Sequence, residues 1–144
     1  MEIVIRAPKN VVEWEQYYDL RYRVLRQPWK QPRGSERNDG DATGVHFALF
    51  ENDKIAAIAR LDLNSENIGQ VRFMAVEIEI QRKGYGKQVM LAIESYCKTQ
   101  NSSEIVLHAR EIAIPFYQNL NYVLVEKSHL LFNEIQHFLM NKKI

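Results

Sequence analysis

The chain is short of almost everything that would specialise it. Cys97 is its one cysteine in 144 residues. That excludes an internal disulfide and a multi-thiolate metal site, and it suits a reducing compartment. There is no uninterrupted apolar run of about 18 residues, so no membrane-spanning helix is expected. Met1–Arg6 has no basic stretch leading into a long apolar one, so it is not read as a signal peptide. Charge of either sign is lacking in excess: 19 Lys and Arg face 18 Asp and Glu, a net +1. A dedicated nucleic-acid binder would be strongly basic, and an acidic disordered chain strongly negative. No repeat, low-complexity tract or Ser/Gly linker interrupts the sequence. The expectation is one cytoplasmic domain spanning 1–144.

Chemical signatures are missing too. The histidines at 46, 108, 129 and 137 show no His-x-x-x-His spacing, so no metal is expected. There is no Gly-x-Ser-x-Gly elbow for a serine hydrolase. The run Arg21, Arg23, Arg26, Lys30, Arg33 and Arg37 alternates with acids and aromatics. It reads as one helix face and its loop, and no nucleic-acid partner is expected.

What is present is pattern. Ile3-Val4-Ile5 reads as an opening strand. Val11, Trp14, Tyr18, Tyr22 and Leu25 recur at three- and four-residue steps, which predicts an amphipathic helix from Asn10, its N-cap, to Arg26. Pro28 and Pro32 end it in a long loop over 28–43. Val45–Phe50 and Ile55–Leu63 predict an antiparallel hairpin turning at Asn52-Asp53. Ile68–Ile80 reads as one long strand. From Tyr85 the stripe Val89, Ile93, Tyr96 and Cys97 is helical. Ile105–Leu107 is a short strand, and Ile112–Leu120 has helical spacing, with Pro115 tolerable only in a first turn. Asn121 suits a left-handed stop, and Tyr122–Val125 is a strand. The tail from Leu130 fits either a helix or a last strand. This order implies a mixed sheet with helices on its faces.

The informative segment is Gln81-Arg82-Lys83-Gly84-Tyr85-Gly86-Lys87, set between a strand and a helix. Glycines let a ligand approach the main chain. A helix start offers unpartnered N–H groups and a positive dipole end, an anion site to which Arg82, Lys83 and Lys87 add charge. A Walker loop fails here, because Gln88 follows Gly86-Lys87. A Rossmann fingerprint fails because position 89 is Val.

Gln81-x-x-Gly84-x-Gly86 resembles the acetyl-CoA pyrophosphate loop of the GNAT superfamily of N-acetyltransferases. Ala113-x-x-Phe116-Tyr117-x-x-Leu120-Asn121-Tyr122 is similar to that family's second motif. The Tyr22–Arg26 helix, the Gln31–Glu36 loop and His137–Lys143 resemble a bacterial branch of it, and the last tilts the tail toward a strand. The resemblance covers essentially the whole chain. It implies an α+β fold (α/β three-layer in some schemes), with a mostly antiparallel mixed sheet of six to seven strands, helices on both faces, and a bulged, splayed strand pair.

The same resemblance implies the chemistry. Acetyl-CoA would be the cosubstrate and an amine, of a small molecule or a protein, the acceptor. Met74, Ala75 and Val76 would supply backbone to the pantetheine arm, with Gln81 to Lys87 around the pyrophosphate. Tyr117 would be the general acid that protonates the leaving thiolate. Arg110 stands where many members have an Asn that bonds pantetheine, so it could reach a phosphate or an acidic substrate group instead. His46, Glu77 and His108 are candidates for a base or a substrate contact, and Glu79 shares Glu77's face in a regular strand. Many members dimerise through edge strands. A non-catalytic acyl-CoA sensor or interaction module is the alternative.

Overall fold

A computed structural model describes residues 2–81 and 83–144. Seven strands and three α-helices follow in the order β1 (Ile3–Arg6), α1 (Val11–Leu25), β2 (Val45–Glu51), β3 (Lys54–Leu63), β4 (Gly69–Val76), α2 (Tyr85–Thr99), β5 (Glu104–Arg110), α3 (Ile114–Gln118), β6 (Val123–Leu131) and β7 (Ile135–Lys143). The sheet order is β1-β2-β3-β4-β5-β7-β6. The β4–β5 pair is parallel, while β1–β2, β2–β3, β5–β7 and β6–β7 are antiparallel. This is the expected α+β mixed sheet. By contacts the chain forms two compact units. One holds the residues up to Asp62 with Phe73–Ile93, and the other holds Leu63–Arg72 with Glu94–Ile144.

In the first unit, Asn10 caps α1 by accepting a hydrogen bond from the Glu13 amide. The apolar face of α1 buries Tyr17, Leu20 and Val24 with Ala48, Phe50, Ile58 and Ala75 from the strands. Asn52 and Asp53 have φ of 49° and 71°, the left-handed pair that a two-residue hairpin turn needs. The loop after α1 is not featureless. It holds 3-10 turns at Gln27–Trp29 and Asp39–Ala42, the second closed by a capping box between Asn38 and Asp41.

That loop places Asp41 between two arginines whose side chains are wholly buried. Asp41 Oδ1 lies 2.9 Å from both Arg21 Nη1 and Arg60 Nη1. Arg60 is also forked onto Asp62. Both guanidiniums lie by the Phe73 ring, Arg21 at 4.2 Å and Arg60 at 5.1 Å from its centroid. Phe73 has φ 56° inside β4, a costly conformation for a bulky side chain. A left-handed residue within a strand marks a local bulge and re-aims the residues after it.

The expected strand Ile68–Ile80 is therefore too long. β4 stops at Val76, the Glu77 amide still bonds Ala56 O at 2.8 Å, and Ile78–Ile80 turns as a 3-10 helix. Glu77 and Glu79 do not share a strand face.

In the second unit, β4 pairs β5 over Gly69–Val71. Ile105, Leu107, Met140, Leu120 and Tyr122 are buried. The Tyr122 hydroxyl donates to Glu94, which also pairs Lys142. The helix expected over Ile112–Leu120 is shorter, a 3-10 turn at Glu111–Ala113 followed by α3 with Pro115 in its first turn. Asn121 has φ 71°, and the Tyr122 amide closes back on Tyr117 O at 3.0 Å. The tail is a strand, β7, and β6 runs well past Val125.

Asp41 titrates to a stability prediction. Burial penalises its charge, but the Asn38 amide, Arg60 and Arg21 outweigh that and hold its carboxyl below the usual range. Its contribution is thus present above the unfolded value of about 3.9 and lost as pH falls through the folded one. Replacing it leaves the buried Arg21 without its carboxylate and Arg60 with Asp62 alone, so Asp41→Ala should cost about 3–5 kcal/mol in urea unfolding. A loss under about 1 kcal/mol would show that the arginines are neutralised otherwise.

Candidate functional site

In the first unit the glycine loop begins where the kinked strand ends. Gln81 donates from its side chain to Val76 O at 3.3 Å, tying the loop to β4. Arg82 lies outside the described residues. Lys83 is exposed and sits 3.9 Å from Glu51, a weak surface pairing that a ligand can replace. Gly84 has φ +80° with nothing within 4 Å of where a Cβ would stand. The position needs glycine for its torsion and leaves open space for a ligand to approach. Tyr85 is buried and its hydroxyl donates to Glu51, which pins the first turn of α2. That turn contains no acid, so no carboxylate of its own offsets its positive dipole end. Gly86 is buried and Lys87 exposed. Met74 and Val76 are half-buried and Ala75 is buried. All three lie beyond the three-position β4–β5 ladder.

Two of the proton-acceptor candidates also belong to the first unit, and both are committed elsewhere. His46 Nε2 lies 2.9 Å from Asp41 O, so it carries the proton. Its Nδ1 accepts from the Tyr17 hydroxyl at 2.8 Å. Burial holds this ring neutral by lowering its pKa. The Glu77 carboxylate is forked onto Arg23 at 2.6 and 3.0 Å, and that bond lowers its pKa against the opposing effect of burial. Both side chains are thus engaged within the protein, His46 with Tyr17 and Asp41 and Glu77 with Arg23. Glu77, Glu79 and Glu51 line a cavity of about 410 Å³ with Asp19, Arg23 and Lys54.

The second unit carries His108, Arg110 and Tyr117. Tyr117 is 6% exposed, with ring contacts to Phe116 and Tyr122. Burial pushes its phenol up to about 12, and Arg110 acts in the opposite direction. Arg110 is itself half-buried and lowered by desolvation, with Tyr117 raising it. These two residues are therefore electrostatic neighbours. His108 is exposed, with Nδ1 3.0 Å from Ser128 Oγ. Among the described residues no group of three or more His, Cys, Asp or Glu is placed to hold a metal ion.

The same fold occurs in Escherichia coli ElaA, at 18% identity over 98% of each chain and a TM-score of 0.82. It occurs in the E. coli ribosomal-protein-S18-alanine N-acetyltransferase, at 16% identity over 99% of this chain and 94% of that one, TM-score 0.77. A third case is the PaiA N-acetyltransferase of Thermoplasma acidophilum in complex with coenzyme A, at 15% identity over all of both chains, TM-score 0.75. These likenesses establish the fold. Residues 28–144 match the acetyltransferase (GNAT) domain family, and the chain belongs to it. It is an acyltransferase by class.

The positive φ of Gly84 can be tested alone. Because no atom opposes a Cβ there, Gly84→Ala should cost only the torsional strain, about 1–2 kcal/mol, in the urea midpoint. An unchanged midpoint would show that the loop relaxes without that conformation.

Proposed function

We propose that the chain is an acetyl-CoA-dependent N-acetyltransferase that moves acetyl directly to a primary amine and works as one domain over 1–144. The observation that supports this best is the join of a kinked strand to an acid-free helix start through Gly84. The donors there suit a pyrophosphate. We also place the protein in the cytoplasm, in keeping with a free, buried Cys97. No helix among the described residues is long and apolar enough to cross a membrane.

In this reading the N–H groups at the start of α2, with Lys83 and Lys87 and with Arg82 from the sequence, hold the phosphates. Gln81 keeps the loop against β4. The main chain of Met74, Ala75 and Val76 pairs with the amides of the pantetheine arm as an added strand would. One N–H of that edge polarises the thioester carbonyl. Acetyl-CoA supplies the activated acetyl group. The amine nitrogen bonds the carbonyl carbon, the carbon–sulfur bond breaks, and Tyr117 gives its hydroxyl proton to the leaving sulfur. With its pKa near 12, Tyr117 stays protonated at any working pH. His46 and Glu77 being committed, water takes the proton of the attacking amine, and His108 is left as a substrate contact.

The deep burial of Tyr117 favours a second reading, an acyl-CoA sensor without turnover. One experiment separates the two: calorimetric titration with acetyl-CoA, then free-thiol release over a mixed panel of amines. Saturable binding with thiol release is expected. Tyr117→Phe should keep cofactor affinity within about twofold and lower kcat by about 100-fold or more. Binding without release for any amine supports the sensor. No binding overturns both readings.

A further inference from the structure

Three of the four histidines meet in the second unit. His129 stacks on His137 with ring centroids 4.4 Å apart and planes at 14°, and His108 lies 5.3 Å from His129. They come from β5, β6 and β7. Pairing places Arg110 opposite His137, so the two share a sheet face. Because side chains alternate, His108 is on that face as well.

The meeting is built by a strand irregularity. Lys127 pairs Phe138 and Leu130 pairs Gln136, so β6 takes three steps where β7 takes two. This is a bulge at Ser128-His129, and a bulge re-aims side chains. The Gln136 side chain holds it by donating to the carbonyls of Ser128, His129 and His137. Ser128 in turn bonds His108. His137 Nδ1 donates to Ile135 O at 3.0 Å, which leaves Nε2 as its protonation site.

Among the described residues none of the three rings is hydrogen-bonded or ion-paired to an acid. Arg72 from β4 bears electrostatically on His108, and Arg110 from β5 on His137. Glu126 of β6 pairs Leu139, which pairs His108, so its carboxylate is on the same sheet face two strands from His108, while Lys127 is on the other. Burial above all, then His129, and after it Arg72 at His108 and Arg110 at His137, lower the pKa of the two rings, with the Ile135 carbonyl opposing at His137. Packing three imidazoles near two guanidiniums is unfavourable when they are charged, and an anion reverses that. His108 and His129 are exposed, so solvent ligands reach them.

We infer that His108, His129 and His137, backed by Arg110, form an anion subsite that takes a carboxylate group. Resting on the acetyl-transfer reading, that carboxylate belongs to the amine acceptor, because Arg110 neighbours Tyr117. The acceptor is then an amine bearing an acid group. Binding takes up protons, so it strengthens as pH falls.

The subsite is tested without cofactor, by following the histidine ring signals in NMR during titration with succinate. A saturable shift of the three rings' signals is expected, with the pKa of His108 and His137 rising on binding. Affinity should be about tenfold tighter at about pH 5.5 than at about pH 8. Buried His46 serves as the unmoved reference. His129→Gln and His108→Gln change exposed side chains, and each should abolish most of the shift while leaving Tm unchanged. Rings that do not respond, or respond equally in the variants, overturn the subsite.

A second arm compares amines with and without a free carboxylate as acetyl acceptors, small acidic amines and acidic-tailed peptides being run separately. A KM lower by about tenfold for the acid, lost in His129→Gln, supports the acceptor assignment. An equal KM overturns it. If no amine is acetylated, the transferase reading fails, while the succinate titration still decides the subsite.

Discussion

Much of the first unit depends on one carboxylate held between two buried arginines. Arg21 comes from α1, Arg60 from β3 and Asp41 from the loop between α1 and β2. None of the three is acceptable in the interior alone, since an unpaired buried charge costs several kcal/mol. Together they lock a helix, a strand and a loop with little regular structure. The lock extends further. The Asp41 carbonyl accepts a hydrogen bond from His46, His46 accepts one from the Tyr17 hydroxyl, and Arg21 donates back to Tyr17. The loop over 38–42 is thereby ordered by polar bonds where it has few apolar side chains to bury.

The same arginines explain how β4 keeps a left-handed phenylalanine. Both lie by the Phe73 ring, as does Arg26 at 5.7 Å. Cation–π contacts with desolvated guanidiniums are worth about 0.5–2 kcal/mol each, comparable with the cost of the strained torsion. The kink then hands β4 on to Val76, Glu77 and the glycine loop. A charge cluster far from the loop in sequence therefore sets the backbone from which the loop departs.

Several of these features are legible in residues taken singly. The Asn10 cap, the Asn52-Asp53 turn, Pro115 in a first turn and Asn121 at a helix stop follow from local torsion and hydrogen bonding. The two motifs around Gly84 and Tyr117 are equally local. The kink at Phe73 is not, because Val71, Phe73 and Ala75 alternate as in a regular strand, and the force that bends it comes from Arg21, Arg26 and Arg60. The commitments of His46 and Glu77 are hidden for the same reason. Each looks like a loose strand residue until a partner from α1 or from the loop before β2 arrives. In β6 a second cause operates. Bulges after Leu124 and at Ser128-His129 shift the alternation, so the strand loses its period-two signal. The histidine cluster, drawn from three strands, leaves no spacing to read.

Arg110 also bears on the proposed proton transfer. Burial alone moves a phenol upward, away from the thiolate it must protonate, and makes the transfer less favourable. A guanidinium beside Tyr117 stabilises the phenolate that forms and pulls in the helpful direction. An asparagine at position 110 would offer a hydrogen bond but no charge, and so would leave the effect of burial on Tyr117 unopposed. In the proposed mechanism the half-buried arginine would give the acid an electrostatic partner where an asparagine would contact the pantetheine arm. Its own cost of burial is partly offset by the Tyr117 hydroxyl. An anionic group arriving at the histidines would lower that cost again, so acceptor charge and acid strength would be set by one side chain.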